Sequence, residues 1–269
     1  MPARAARPSW NPLISLAFAL AGAPAACAPH LDVGQWKCAT STGKPEDADA
    51  GATPVTDAIA VPWSTGFEDG FCDYAAARGF CYSNTNATYE LVTSPVHSGK
   101  RAAAFSVSAE DPNGRQARCV REGTLPTEAY YGAWFYIPAT ATNSDNWNLM
   151  FFEGGDPENP TKLWDVSLGN AAGGSLYLYV YEQTPGIIHP ANGMPAVPIG
   201  SWFFVEFYWK QATDGSGQVA LEQDHVRVLD VPVSAAAVGW ARWHVGDLAD
   251  ALVPPDSTVY VDDISIRAP

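Results

Sequence analysis

From residue 61 onward the chain repeats one pattern: a short run of β-branched and aromatic residues alternating with polar ones, then a cluster of Gly, Pro, Asn or Asp. Residues 202–211 show it best. Phe203, Val205, Phe207 and Trp209 fall on one parity, and Trp202, Phe204, Glu206, Tyr208 and Lys210 on the other. Successive side chains of a strand point to opposite faces, so one face of this run is apolar and the other mixed. In residues 175–183, Leu176, Leu178 and Val180 likewise oppose Tyr177, Tyr179 and Tyr181. Runs of this kind cannot bury their apolar face as helices. They predict an antiparallel β-sandwich, with strands at 64–68, 102–107, 115–121, 130–137, 148–153, 164–168, 175–183, 202–211, 219–223, 227–231 and 259–267. Turns are expected at 111–114, 154–160, 170–174 and 214–217. Residues 234–252 are Ala-rich and predict a short helix or turn. The 23 Gly, 22 Pro and 32 aromatic residues (10 Trp, 11 Tyr, 11 Phe) suit such a fold.

Residues 1–27 read as an export signal: Arg4 and Arg7, an uncharged apolar run from Leu13 to Ala23, then Ala25 and Ala26 before Cys27. The run is too short to span a bilayer comfortably. Residues 28–60 contain a stretch, 39–60, of Ala, Thr, Asp, Pro and Gly that cannot bury a core and reads as a flexible linker. Residues 61–269 are then the folded domain. The five cysteines are Cys27, Cys38, Cys72, Cys81 and Cys119. An odd count in an exported chain leaves one over. With Cys27 set aside, the other four could form two disulfides, whose pairing the sequence leaves open. No C-x-x-C or clustered His/Cys pattern suggests zinc.

The formal net charge is −14, from 29 acids and 15 bases. Such a surface repels nucleic acid and anionic lipid, and weighs against a polyanionic ligand unless a local basic groove intervenes.

Three motifs carry a resemblance. The end of the leader resembles a bacterial lipoprotein signal, which implies lipidation of Cys27 and, with Ala28 following, an outer-membrane address. Ordinary cleavage near Ala26 would instead give a secreted protein. The runs Gly66-Phe67-Glu68-Asp69-Gly70, Ser98-Gly99-Lys100-Arg101-Ala102 and Tyr260-Val261-Asp262-Asp263-Ile264 resemble jelly-roll carbohydrate-binding modules. Tyr131-Gly132-Ala133-Trp134-Phe135-Tyr136, residues 147–153 and residues 198–211 resemble concanavalin A-like lectin and polysaccharide-lyase domains. The resemblance implies a jelly-roll, concanavalin A-like sandwich. It also implies a structural Ca²⁺ held by Glu68, Asp262 and Asp263, since paired carboxylates and loop carbonyls supply the hard oxygens this ion requires.

The chemistry expected of the domain is contact with a polysaccharide or other glycan, by a monomer that meets membrane only through a lipid anchor. Sugar rings stack their C–H faces on aromatic side chains. Tyr177, Tyr179, Tyr181 and Tyr208, joined by Trp134 and Tyr136, are the candidate platform. A cross-strand ladder is the bland alternative. Hydrolysis needs two carboxylates across the scissile bond. The Glu-x-Asp-x-Glu strand of concanavalin A-like hydrolases is incomplete at Glu222-Gln223-Asp224, although Glu153, Asp165 and Glu206 could supply another pair. A lyase needs a base and a group that neutralises a uronate carboxylate. Here the candidates are Tyr208, Lys210, Glu206 and His244, with His189 and His225 behind them. The Gln-x-His that such lyases often carry on the strand matching 148–153 is absent. His97, beside a turn, reads as an exposed polar residue. Carbohydrate binding is thus the first expectation. A polysaccharide lyase on the same scaffold, or a non-catalytic structural or adhesion protein of the envelope, is the alternative.

Overall fold

The computed structural model describes residues 57–76, 79–110, 113–143, 145–233 and 239–269. The leader, Cys27, Cys38 and nearly all of the linker lie outside them.

The described residues form seventeen strands and one short helix. They are β1 (Trp63–Thr65), α1 (Cys72–Ala76), β2 (Gly79–Ser83), β3 (Ala87–Val92), β4 (Ala102–Ser108) and β5 (Arg115–Thr124). Then come β6 (Glu128–Tyr136), β7 (Thr142–Asn143), β8 (Trp147–Gly155), β9 (Pro160–Asn170), β10 (Leu176–Glu182) and β11 (Ile187–Pro190). The last are β12 (Trp202–Lys210), β13 (Gly217–Gln223), β14 (Val226–Val233), β15 (Trp240–Ala249), β16 (Leu252–Val253) and β17 (Asp256–Arg267). β7 pairs with β16 in a separate two-stranded sheet, and two large antiparallel sheets result. One runs β14-β13-β12-β6-β17-β4-β3, with β1 added to β17, and the other runs β11-β10-β9-β8-β15-β5-β2. Many neighbours are far apart in sequence, as β5 and β15 are, so the chain crosses repeatedly between the sheets.

The apolar parities face each other across the sandwich. Phe152 of β8 packs against Tyr131 of β6 at 5.0 Å and against Phe207 and Trp209 of β12 at 5.0 and 5.7 Å. Trp243 of β15 meets Tyr131 at 5.1 Å. Phe152, Trp209, Trp243, Trp147 and Trp164 are all buried. Burial of such rings stabilises by roughly 1.5–3 kcal/mol each. A disulfide joins Cys81 of β2 to Cys119 of β5 on the core side, and Cys72 is disulfide-bonded as well.

Three expectations need correction. The first strand is only Trp63–Thr65, and Phe67 and Glu68 lie beyond it. Positive φ at Phe67 (59°) turns the chain there. Strands β2 and β3 are additional to the expected set: β2 is only five residues with Gly79 and Ser83 at its ends, and β3 is a short edge strand whose Tyr89 and Leu91 alternate with Thr88 and Glu90. The Ala-rich segment contains β15, a central strand between β8 and β5. Its small residues Ala241 and Ala249 are fully buried, and its other core residues are Trp243 and Val245. Tertiary packing overrides the weak helical preference of Ala.

Candidate active site

The outer face of the seven-stranded sheet follows from parity. On β5, Ala117 and Cys119 enter the core, so Gln116, Arg118 and Glu122 point away from it. On β15, Trp243 and Val245 point in, and Arg242 and His244 point out. β8 contributes Asn148, Phe151 and Glu153, β9 contributes Asp165 and Ser167, β10 contributes Tyr177, Tyr179 and Tyr181, and β2 contributes Tyr82. Outward residues on a flat sheet would be solvated. Here Arg118 and Asn148 are 2% exposed, Asp165 3% and His244 6%. Neighbouring side chains therefore close round these groups, and this face is the candidate groove; buried polar groups need partners.

At its centre, Arg118 Nη2 donates to Asn148 Oδ1 at 2.5 Å, and the guanidinium lies 5.3 Å from the Phe151 ring centre. Arg118 forms no ion pair among the described residues. Burial lowers its pKa, but a guanidinium keeps its charge at any ordinary pH. Across the β2–β5 pair, Tyr82 lies opposite Arg118. Its hydroxyl donates to Gln116 Oε1 at 3.0 Å and stands 3.5 Å from His244 Nδ1. Burial raises the Tyr82 pKa, so the phenol is neutral at rest.

Burial, with help from the nearby Arg118 and Arg242, depresses the His244 pKa to about 4. Its Nε2 is 3.4 Å from Glu153 Oε1, an ion-pair distance too poorly aligned for a hydrogen bond. Burial pushes Glu153 up, but His244 and Arg242 outweigh it and hold the carboxyl below its usual range. Arg242 bridges Glu153 at 3.2 Å and Glu122 at 2.8 Å. An ionised Glu153 favours the proton on Nε2, leaving Nδ1 free to accept from Tyr82. On the other side, Gln183 donates to Asp165 Oδ2 at 2.5 Å, and burial raises Asp165 to about 6.

Beneath Arg118, β15 carries a bulge against β8 between Val245 and Leu248, and Asp247, on the core-side parity of Val245 and opposite Ala117, is fully buried. Trp147 Nε1 donates to Asp247 Oδ1 at 3.1 Å, and the Ser257 hydroxyl also pulls on this carboxyl. Burial raises Asp247 to about 7, against the opposing pull of Trp147 and Arg118. A carboxyl that holds its proton more tightly when folded contributes stability in full below its unfolded pKa near 4. That contribution is lost as pH rises through about 7. His244 works oppositely: its depressed pKa contributes in full above about 6.5, and the contribution is lost as pH falls towards 4. Asp247→Asn removes the first effect alone. The variant should gain on the wild type by on the order of 1–2 kcal/mol between pH 5 and pH 8. Denaturant melts at the two pH values measure this, and an unchanged difference would mean that Asp247 is ionised in the folded protein.

The candidate residues divide between two faces. His244 and Tyr177, Tyr179 and Tyr181 lie on the groove. Trp134, Tyr136, Glu206, Tyr208 and Lys210 lie on β6 and β12, on the outer face of the other sheet. The single platform expected from parity is therefore split, because parity defines two faces per strand and says nothing about which sheet a strand joins. On that second face the rings have protein partners. His97 stacks on Trp134 at 3.8 Å, and Tyr136 tilts against Trp202 at 5.6 Å. Tyr208 donates to Glu128 at 2.5 Å. Glu206 takes two hydrogen bonds from Arg267, at 2.8 and 2.6 Å. Glu222 pairs with Arg227, and Asp224 accepts from the Phe204 amide. His225 stacks on Phe204 at 4.7 Å, and His189 pairs with Glu182 at the sheet edge. Of the carboxylates considered for hydrolysis, Glu153 and Asp165 share the groove and Glu206 does not.

Glu68, Asp262 and Asp263 all meet residues 97–101. Glu68 Oε1 accepts from the Lys100 and Arg101 amides at 2.7 and 3.1 Å. Asp262 Oδ2 accepts from the His97 and Ser98 amides, and Asp263 contacts His97 Nδ1 and Ser98 Oγ. Amide and side-chain donors thus take the oxygens a cation would need. Among the described residues no group of three or more His, Cys, Asp or Glu is placed to hold a metal ion. EDTA is expected to move the melting temperature by less than roughly 1 °C, and a rise of several degrees on adding Ca²⁺ would restore the ion to this loop.

Tyr82, Arg118 and Asn148 were not singled out from sequence. Arg118 carries a usable signal, a cation on the parity opposite Ala117 and Cys119. Tyr82 and Asn148 carry none until β2 and β8 are placed beside their partners.

No protein-family profile matches the chain, and no curated protein matches it in sequence. Solved structures do match in shape. An endo-β-1,4-glucuronan lyase from the fungus Trichoderma reesei superposes with a TM-score of 0.57 at 15% identity, over 71% of this chain and 90% of that one. The PL-14 alginate lyase from Aplysia kurodai gives 0.56 at 12% identity, over 81% and 100%. The cellulose-induced protein Cip1 gives 0.54 at 15% identity, over 77% and 97%. The fold is a jelly-roll β-sandwich. At these identities the likeness is one of architecture, and it does not carry residue roles from those proteins to this chain.

Proposed function

We propose that this chain is a polysaccharide lyase that cleaves beside a uronate by β-elimination. The alternative reading from sequence thereby moves ahead of binding alone. The observation that carries it is the placement of Arg118 and Asn148, hydrogen-bonded to each other, next to a Tyr82–His244–Glu153 chain. In the reaction, the remaining Arg118 N–H groups and the Asn148 amide hold the carboxylate of the sugar. That interaction offsets the negative charge that develops when C5 loses its proton. The Tyr82 oxygen takes the C5 proton as its own passes to neutral His244 Nδ1, with Glu153 behind the imidazole. The C4–O4 bond breaks, a C4=C5 double bond forms, and the departing O4 receives a proton from Tyr82. No water is added and no redox change occurs.

The structural likeness to two uronan lyases supports the reading. The proposal extends to an exported monomer that meets glycan, not nucleic acid, and is either lipidated at Cys27 or secreted. Non-catalytic binding is the second reading, favoured by the row of Tyr177, Tyr179 and Tyr181.

The test is absorbance of the unsaturated uronate product on a panel of uronate-containing polymers. The wild type should raise it and Tyr82→Phe should not. Binding without absorbance would leave a carbohydrate-binding module. Neither binding nor product would leave a structural or adhesion protein of the envelope.

A further inference from the structure

We infer that the groove takes a heteropolysaccharide in which a single uronate is flanked by neutral sugars, rather than a continuous polyuronate. This rests on the lyase reading and specifies its substrate class.

A polyuronate brings one negative charge per sugar, and each buried carboxylate needs a cation or several donors. Among the described residues the groove supplies one such place. Arg118 is its uncommitted cation, whereas Arg242 is shared between Glu122 and Glu153, a cluster that is net negative. His244 is neutral. From Arg118 towards the sheet edge, β9, β10 and β11 turn no Lys or Arg to the groove face. Lys162, exposed at the start of β9, is the only basic residue of those strands other than His189, which lies on the core-side parity with Val180. The field of Lys162 is set against Asp165. A second carboxylate in that direction would meet Asp165 and the tyrosines instead of a cation.

What this arm offers is a platform for rings. Any Cβ on Gly169 would come within 2.6 Å of the Tyr177 ring, so that ring lies directly on the β9 backbone. Tyr179 follows at 6.3 Å between centroids. Phenol faces beside Ser167 and Gln183 suit the C–H faces and hydroxyls of uncharged sugars. Asp165, with its proton held up to about 6, accepts hydroxyl hydrogens and repels a carboxylate once ionised.

The experiment uses the full chain on two sets of polymers at equal uronate concentration. One set is polyglucuronate and polymannuronate. The other alternates a uronate with neutral sugars. The expected result is a kcat/KM higher by roughly tenfold or more on the alternating polymers. Asp165→Asn should narrow that gap by raising turnover of the polyuronates at low salt. Equal or faster cleavage of the polyuronates by the wild type overturns the inference while leaving the lyase reading intact. Absence of unsaturated product from every polymer overturns the lyase reading. Calorimetry on Tyr82→Phe then decides ligand preference alone: tighter binding of an oligouronate than of a neutral-flanked uronate oligosaccharide overturns the inference on that count too.

Discussion

Replacing Arg118 with alanine is expected to lower kcat/KM on a cleavable polymer by about 10²–10⁴. The side chain has two roles that the variant removes together. In the proposed reaction it faces the uronate carboxylate, and its positive charge acts on the buried Asp165 and Asp247. Loss of a buried charge can also destabilise the fold, so the melting temperature must be read beside the rate. Arg118→Lys separates the two. It restores charge but not the planar fork that grips Asn148 and a carboxylate together. Lysine should therefore recover most of the stability and only part of the activity. Both variants should still bind neutral oligosaccharides on the Tyr177–Tyr179 arm. If Arg118→Ala kept kcat/KM within about twofold in a folded protein, the carboxylate would be held elsewhere and the proposed centre would be wrong.

Gly246→Ala should produce a large loss of stability from adding one methyl group. Gly246 has φ of 148°, in the region that favours glycine, and it lies opposite Arg118 in the β15–β5 ladder. A Cβ there would stand 2.4 Å from the Ala117 carbonyl oxygen and 2.9 Å from the Arg118 Cα. Those are backbone atoms of a central strand and cannot rotate away. A cost of about 2–4 kcal/mol is expected from strain and overpacking. Gly246 lies opposite Arg118 and beside Asp247, so a backbone shift there moves both, and activity should fall more than the unfolded fraction alone explains. Denaturant titration and kcat on the folded fraction measure the two effects. A loss below about 0.5 kcal/mol would show that the bulge relaxes freely.

Several features were legible in the sequence because they are local. Alternation in 202–211 and 175–183 named the core-facing residues correctly, since the period of a strand is a property of its own backbone. The turn clusters placed most loops, and the absence of helical periodicity set the class. The Tyr row of β10 was visible for the same reason. What the sequence by itself determined was therefore the class of fold, the inward parity of the long strands and one arm of the groove. The rest depends on pairings between distant segments. Arg118 reaches Asn148 only because β15 separates β5 from β8 in the sheet, and Tyr82 meets His244 only because β2 adds outside β5. The same pairings put Trp134 and Tyr208 on a different sheet from Tyr179. Parity is blind to this, since an outward residue looks alike on either sheet. Tertiary structure alone decided which outward faces are buried, and so which polar residues share a low-dielectric groove where their charges and protons can act on a sugar.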